Sequence, residues 1–100
     1  MEMQIQLEDL LDDMQMPPYL LGYQYWIDMV KLALNYDITT YKFPMCDLYI
    51  HVAKLNNTKY TRVERCLRVA RKKCRKSCKN NIEFLVELIK QYNRRKYYYE

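Results

Sequence analysis

Basic side chains are concentrated in one stretch of this 100-residue chain, and the chemistry that they offer is the binding of polyanions. Ten Lys or Arg residues lie between positions 59 and 79, with Glu64 as the one acid among them. The net charge is +5, but residues 1–50 hold eight acids and two bases, whereas residues 51–100 hold four acids and fifteen bases. Such a density of like charge repels itself unless a polyanion neutralises it, and nucleic acid is the usual one. We therefore expect a nucleic-acid interface here; a solvated, lysine-rich helix face is the alternative.

The basic residues separate from the apolar ones when this stretch is drawn as an α-helix. The expected core stripe consists of Val63, Cys66, Leu67, Ala70 and Cys74. The expected outer face consists of Thr61, Arg65, Arg68, Lys72 and Lys76, flanked by Arg62 and Lys73 on one side and by Glu64 and Arg71 on the other. A solvated helix normally mixes both signs of charge to gain pairs along its surface. The cationic face therefore indicates an external anionic partner.

Arginine dominates the first half of this predicted face, and lysine dominates the second half. A guanidinium can donate two hydrogen bonds to O6 and N7 of guanine, whereas an ammonium is a point charge that suits phosphate. This order is expected for a helix that inserts its N-terminal half into the major groove of DNA.

The elements that must position this face are predicted to be helices. One glycine, Gly22, three prolines and the lack of Asn-Gly or Asp-Gly pairs argue against a β-sandwich or barrel. We predict an all-α fold, a small bundle of about five helices, in which Gly22 permits a close helix crossing. Apolar periodicity, interrupted by prolines and asparagines, predicts helices over about residues 4–14, 20–34, 44–55, 58–76 and 82–92.

The third and fourth predicted helices have the spacing of a helix-turn-helix. Asn56 and Asn57 tolerate the left-handed backbone that ends a helix, and Thr58 is the expected N-cap of the next one. Ala53 is small where the two helices must approach, and we expect Leu48, Val52 and Leu55 to pack against Val63 and Leu67. Residues 1–100 are thus predicted to form a single helix-turn-helix DNA-binding domain, with a basic tail from about residue 94.

The residues of this unit resemble a known family. The segment 48–70, with Thr61-Arg62-Val63-Glu64-Arg65 and Arg68 as its most specific part, resembles the C-terminal DNA-binding (effector) domain of the sporulation master response regulator of endospore-forming Firmicutes. The segments 16–18 and 22–25 resemble that family's entry to its second helix, and 81–84 resembles its final helix. The similarity covers roughly residues 5 to 71 without evident gaps.

The resemblance implies a bacterial transcription regulator that binds short boxes of double-stranded DNA, as a homodimer or as tandem copies. It implies base contacts from Arg62, Glu64, Arg65 and Arg68. The arginines would contact base edges, and Glu64 would either accept a hydrogen bond from cytosine N4 or orient a neighbouring arginine. Phosphate contacts are expected from Lys59, Thr61, Lys72 and Lys76.

Three features depart from the family pattern. We expect no receiver domain with its phosphorylatable aspartate, so control by phosphorylation is not implied. The segment before the last helix is shorter than in the family. Val69 stands where the family usually has a histidine, so we expect a different DNA sequence to be recognised.

Catalysis, metal binding and membrane insertion find little support in the sequence. His51 is the single histidine and has no evident nucleophile as a partner, so no enzyme is expected. Cys66, Cys74 and Cys78 lie on or beside one helix face, with i,i+8 spacing between Cys66 and Cys74, whereas a structural zinc site takes its tight cysteine pairs from turns, so we expect core thiols and neither metal nor cofactor. No apolar run is long enough for a membrane span, and the acidic N-terminus is unlike a secretion signal. A cytoplasmic location is expected.

Two other functions remain open at this point. A protein-interaction antagonist would pair with a full-length regulator without binding DNA itself. The acidic first half and the aromatic residues at 19–26 favour it, although the same aromatics would equally fill a core. RNA binding is a lesser option, because the basic helix lacks an exposed aromatic platform.

Overall fold

Five α-helices and no strand make up the part of the chain that the computed structural model describes, which is residues 2–36, 40, 42–76 and 78–96. The helices are α1 (Glu2–Asp13), α2 (Leu21–Ala33), α3 (Met45–Leu55), α4 (Tyr60–Lys72) and α5 (Asn81–Lys96). The predicted all-α class with about five helices is confirmed. None of the helices in these ranges is long and apolar enough to cross a bilayer.

Helix α2 occupies the centre of the bundle through Trp26, whose side chain is fully buried. The indole ring meets Phe84 of α5 edge-on, with ring centroids 4.7 Å apart. Its Nε1 donates a hydrogen bond of 2.9 Å to the backbone carbonyl of Leu67 in α4. A buried indole N–H needs such a partner, so this bond satisfies Trp26 while joining α2 to α4.

The other aromatic residues of this segment also belong mostly to the core. Tyr23 and Tyr25 are buried, whereas Tyr19, which precedes α2, is 81% exposed. The hydroxyl of Tyr23 donates a hydrogen bond of 2.8 Å to Asp12 Oδ1 of α1. The interpretation of residues 19–26 as an aromatic partner surface is therefore wrong for Tyr23, Tyr25 and Trp26.

Gly22 lies where α2 crosses α4. A Cβ atom at this position would lie 2.3 Å from the carbonyl oxygen of Cys66 and 2.6 Å from the Cβ of Ala70. Neither the backbone oxygen nor a buried Cβ can move away without displacing α4. The predicted close crossing at Gly22 is confirmed.

The turn between α3 and α4 is a Schellman motif. Asn57 has a left-handed φ of 51°, the Asn57 amide bonds the Lys54 carbonyl, and the Thr58 amide bonds the Ala53 carbonyl at 2.9 Å. Asparagine tolerates this conformation better than most residues, so the predicted role of the Asn-Asn pair is confirmed. The Asn56 side chain adds a bond of 3.0 Å to Asp28, which fastens the turn to α2.

The same motif ends α1. Gln15 has φ of 64°, its amide bonds the Asp12 carbonyl, and the Met16 amide bonds the Leu11 carbonyl at 3.0 Å. Met16 is buried beyond this turn, as the hydrophobic contact of a Schellman motif requires. The two left-handed residues thus direct the chain into α2 and α4 respectively.

Several predicted boundaries and contacts are wrong. Helix α4 ends at Lys72 rather than near residue 76, because the Arg75 amide leaves the helical path and bonds the carbonyl of Met14 at 3.0 Å. Its N-cap is Lys59, without a side-chain cap bond, and Thr58 precedes it. Leu48 and Val52 belong to the same buried core cluster as Val63 and Leu67. Leu55 was expected to join them, but it is 61% exposed.

The basic tail predicted from residue 94 is also wrong for residues 94–96, which continue α5. Tyr92 is buried, and Arg95 Nη2 pairs with Asp13 Oδ2 at 2.6 Å, so tertiary contacts hold this end of the helix against α1. Residues 97–100 lie outside the described residues. Phe43, two residues before α3, is buried in the core and anchors the chain there.

Candidate nucleic-acid interface

Helix α4 and its N-cap carry the predicted contact residues on the side that faces away from the core. Val63, Leu67 and Ala70 are fully buried and hold α4 against the bundle. The predicted contact residues on the opposite side are exposed or half-buried: Lys59, Thr61, Arg62, Glu64, Arg65, Arg68 and Lys72. The structure therefore brings seven of the eight predicted site residues to one face of α4 and its N-cap; we call this set the basic face.

The arginines of the basic face differ in their partners. Arg68 Nη1 pairs with Glu64 Oε1 at 3.2 Å, one helical turn away. No acidic side chain in the described ranges pairs with Arg62 or Arg65. Glu64 therefore contacts a neighbouring arginine in the free protein, and both roles expected for it in DNA recognition remain predictions.

Lys76 is the eighth predicted residue, and it does not share this face. It lies beyond the end of α4, and its Nζ pairs with Glu87 Oε1 of α5 at 3.0 Å. Hydrogen bonds from Gln91 and Lys76 lower the pKa of Glu87, so this carboxylate is charged and holds the lysine. The prediction failed because the helical projection was continued past the true end of α4.

Arg71 was expected on the exposed flank, and this prediction is wrong. Its side chain is only 8% exposed. Its Nε donates to Asn81 Oδ1 at 2.9 Å, and its Nη1 donates to the Cys78 carbonyl at 2.6 Å. Asn81 in turn donates to the hydroxyl of Tyr49 at 3.2 Å. A guanidinium presents several donors in a fixed plane, so Arg71 can satisfy two acceptors while remaining buried.

This chain of hydrogen bonds joins three helices: Tyr49 lies on α3, Arg71 in the last turn of α4, and Asn81 at the start of α5. We call these three residues the polar clamp. It fixes the C-terminal end of α4, while Trp26 and Gly22 fix its middle. The basic face is therefore carried by a helix whose position is determined from three neighbouring elements.

The start of α5 adds to this arrangement. Asn80 Oδ1 accepts the Glu83 amide at 2.9 Å, and Glu83 Oε1 accepts the Lys79 amide at 3.2 Å. This is close to a capping box, in which an N-cap side chain and the third helical residue exchange bonds. Asn80-x-x-Glu83 is thus a sequence signal for the start of α5, but sequence reasoning treated the asparagines as a turn and missed the role of Asn81.

The comparison with known families decides which kind of domain this is. A family model described as the sporulation initiation factor Spo0A C terminal matches residues 7–97. The chain belongs to the Spo0A C-terminal family. A search of curated proteins and a search of solved structures returned no match.

The Spo0A C-terminal match spans the bundle from α1 to the end of α5, so it includes the basic face and the polar clamp. This is a family of DNA-binding effector domains of a sporulation regulator, and not a family of enzymes. The expected family is therefore confirmed, and the basic face lies in a domain whose general role is DNA binding.

Two thiols of this Spo0A C-terminal domain, Cys74 and Cys78, are not chemically activated. Burial raises the pKa of the Cys74 thiol to about 11, and burial also raises the pKa of Cys78. Reactive and metal-binding cysteines have lowered pKa values, so these two remain protonated. Among the described residues, no three His, Cys, Asp or Glu side chains are grouped so as to hold a metal ion.

Proposed function

We propose that this protein binds double-stranded DNA in a sequence-specific manner through the basic face of α4 and regulates transcription. The observation that carries the proposal is the exposure of Arg62 and Arg65 without an acidic partner in the described chain, on a helix that the core holds in place. Unpaired guanidiniums on a rigid support can bond base edges without first breaking bonds within the protein.

The dimensions of the helix suit this role. The 13 residues of α4 extend about 20 Å, and the major groove of about 12 Å admits a single helix. In this arrangement Arg62, Arg65 and Arg68 contact base edges. Glu64 either keeps its ion pair with Arg68 and orients that guanidinium, or gives up the ion pair and accepts a hydrogen bond from cytosine N4. The protein would act in the cytoplasm, as two copies on paired boxes.

Phosphate contacts would fix the register of α4 in the groove. Lys59 and Thr61 at the start of the helix and Lys72 at its end are exposed for this purpose. Lys76 would have to exchange its ion pair with Glu87 for a phosphate, so we expect it to contribute least.

The antagonist hypothesis loses its main support, because three of the four aromatics that favoured it fill the core. DNA binding accounts for the basic face directly, whereas a protein-interaction role does not require Arg62 and Arg65 to lack acidic partners.

Selection from a random duplex pool, followed by binding measurements with Arg65→Ala, tests the proposal. Loss of one base-contacting arginine is expected to cost about 1–3 kcal/mol, which is roughly 5- to 150-fold in affinity, and to relax the preference at one base pair. Arg94→Ala, which removes an exposed arginine of α5, is the matched control and should keep the wild-type preference.

The salt dependence of the affinity for DNA separates DNA binding from the protein-interaction role. A log–log slope of about −0.9 per phosphate contacted is expected for the wild type. If Arg65→Ala and the wild type give the same curves on selected and scrambled duplexes, the proposed function is wrong.

A further inference from the structure

An apolar side chain lies within the basic face. Val69 is 43% exposed and lies one helical turn after Arg65 and two turns after Arg62. At 100° per residue it projects about 40° from Arg65 and about 20° from Arg62 around the axis of α4. An exposed valine is ordinary on a protein surface. Its place between two arginines that have no acidic partner among the described residues is what requires an explanation.

Val69 continues into a shallow apolar groove of about 330 Å³ beside α4. Tyr19, which precedes α2, and Leu21, the first residue of α2, are both exposed and also line this groove, as does Cys66. Arg65 also lines this groove. A ligand that is bonded by Arg65 therefore meets a hydrocarbon surface immediately beside the guanidinium.

We propose that Val69 is a specificity-determining residue that recognises a thymine through contact with its C5-methyl group. This inference rests on the proposed function, since it requires α4 to lie in the major groove. Thymine is the base that presents a methyl group there, and apolar side chains recognise it by contact. Valine has no donor for a phosphate, so a contact with the methyl uses the chemistry that the side chain has.

The position of the thymine follows from the geometry of the helix. Val69 lies four residues beyond Arg65, which is about 6 Å along the axis. Successive bases of one strand are about 3.4 Å apart. The thymine is therefore expected within one or two base pairs of the pair that Arg65 contacts.

The test replaces thymine by uracil, which removes the methyl group and keeps every hydrogen-bonding group. The probe is the best duplex from the random-pool selection, with each thymine exchanged for deoxyuridine in turn. Burial of one methyl group is worth about 0.8 kcal/mol, so wild-type affinity should fall about fourfold at the thymine next to the Arg65 contact. Val69→Ala should bind the two duplexes equally at that position.

The matched control is Ile5→Ala, which removes an exposed apolar side chain from α1 and should keep the wild-type discrimination. The uracil scan of the wild type needs no variant, so a flat scan decides against the inference even if Val69→Ala is unstable. A flat scan overturns the inference, and so does discrimination that persists in Val69→Ala.

The outcomes also separate this inference from the proposed function. If the scan is flat while Arg65→Ala still relaxes specificity, the role of Val69 is wrong and DNA binding stands. If no duplex is preferred, both are wrong. If Val69→Ala weakens self-association in sedimentation and leaves the preference for thymine over uracil intact, the groove is a contact between copies, and the thymine role is overturned.

Discussion

Arg65 and Arg71 lie six residues apart on the same helix and serve opposite purposes. Arg65 is exposed, and no acid in the described ranges pairs with it. Arg71 is buried and donates to Asn81 of α5 and to the Cys78 carbonyl. The first is available to a ligand, whereas the second fixes the helix that presents the first. A run of basic residues is therefore not a uniform surface, and its charge overstates what a partner can touch.

The largest effect that separates the two residues should come from Arg71→Ala. This change leaves the Asn81 and Cys78 oxygens without their donor in a buried place, so we expect a loss of about 3 kcal/mol in the free energy of unfolding. Arg65→Ala should change it by less than about 0.5 kcal/mol. Urea unfolding of both variants measures the difference.

The two changes are expected to have the reverse order of effect on the sequence specificity of DNA binding. At a temperature where both variants are folded, Arg65→Ala should lose specificity and Arg71→Ala should keep most of it. Equal stability losses in the two variants would contradict the division of roles, and so would a specificity loss confined to Arg71→Ala.

A smaller effect is expected from Gly22→Ala, which disturbs the packed side of α4 without altering any charge. The new methyl group meets the Cys66 carbonyl oxygen, so α2 and α4 must separate, at a cost of about 2 kcal/mol. Thermal unfolding measures this loss. Leu21→Ala, at the exposed neighbouring position, should lose less; a stability equal to the wild type in Gly22→Ala would mean that the helices do not cross this closely.

The left-handed residue of the turn that leads into α4, Asn57, should contribute about 1 kcal/mol to the free energy of unfolding. Position 57 has a left-handed φ of 51°, which asparagine tolerates better than alanine does. For most residues this conformation costs about 1–2 kcal/mol, so Asn57→Ala should be less stable than the wild type. Asn57→Gly removes that cost and should be at least as stable as the wild type. If chemical denaturation shows alanine and glycine to be equivalent, the left-handed turn is not formed.

A gradual loss of stability is expected at alkaline pH, over a range in which the arginines stay charged. Burial raises the pKa of Cys74 from 9.0 to about 11, so the folded state holds its proton more tightly than the unfolded state. The resulting stability is complete below pH 9 and is lost as pH rises towards 11. Burial and the bond to Asp12 raise the pKa of Tyr23, and burial raises that of Tyr49, so both act in the same direction.

Melting temperatures between pH 8 and 11 measure this dependence. Cys74→Ala should flatten the profile in part, while Cys46→Ala, at an exposed position, should leave it unchanged. Identical profiles for these two variants would show that the Cys74 thiol is not responsible.

Apolar periodicity was enough to predict the five helices, the helix-turn-helix and the exposure of Arg62, Arg65 and Arg68. These features depend on neighbours in sequence, such as the Asn56-Asn57 break between α3 and α4. The end of α4 was not predictable in this way, because the bond that diverts the chain joins Arg75 to Met14, far apart in sequence. The prediction for Arg71 failed for a related reason. On a helical projection of α4 this residue lies between the apolar and the basic faces, and only the packing of α5 decides that it is buried.

The chain contains one tryptophan, and its indole donates to a carbonyl in the middle of α4. The fluorescence of Trp26 therefore reports whether α4 is docked against α2. The maximum of its fluorescence emission stays at short wavelength while α4 remains docked, and it shifts to longer wavelength when water reaches the ring. One label-free signal can thus follow whether this helix holds its place when a duplex is added, without any dye attached to the surface that the duplex would cover.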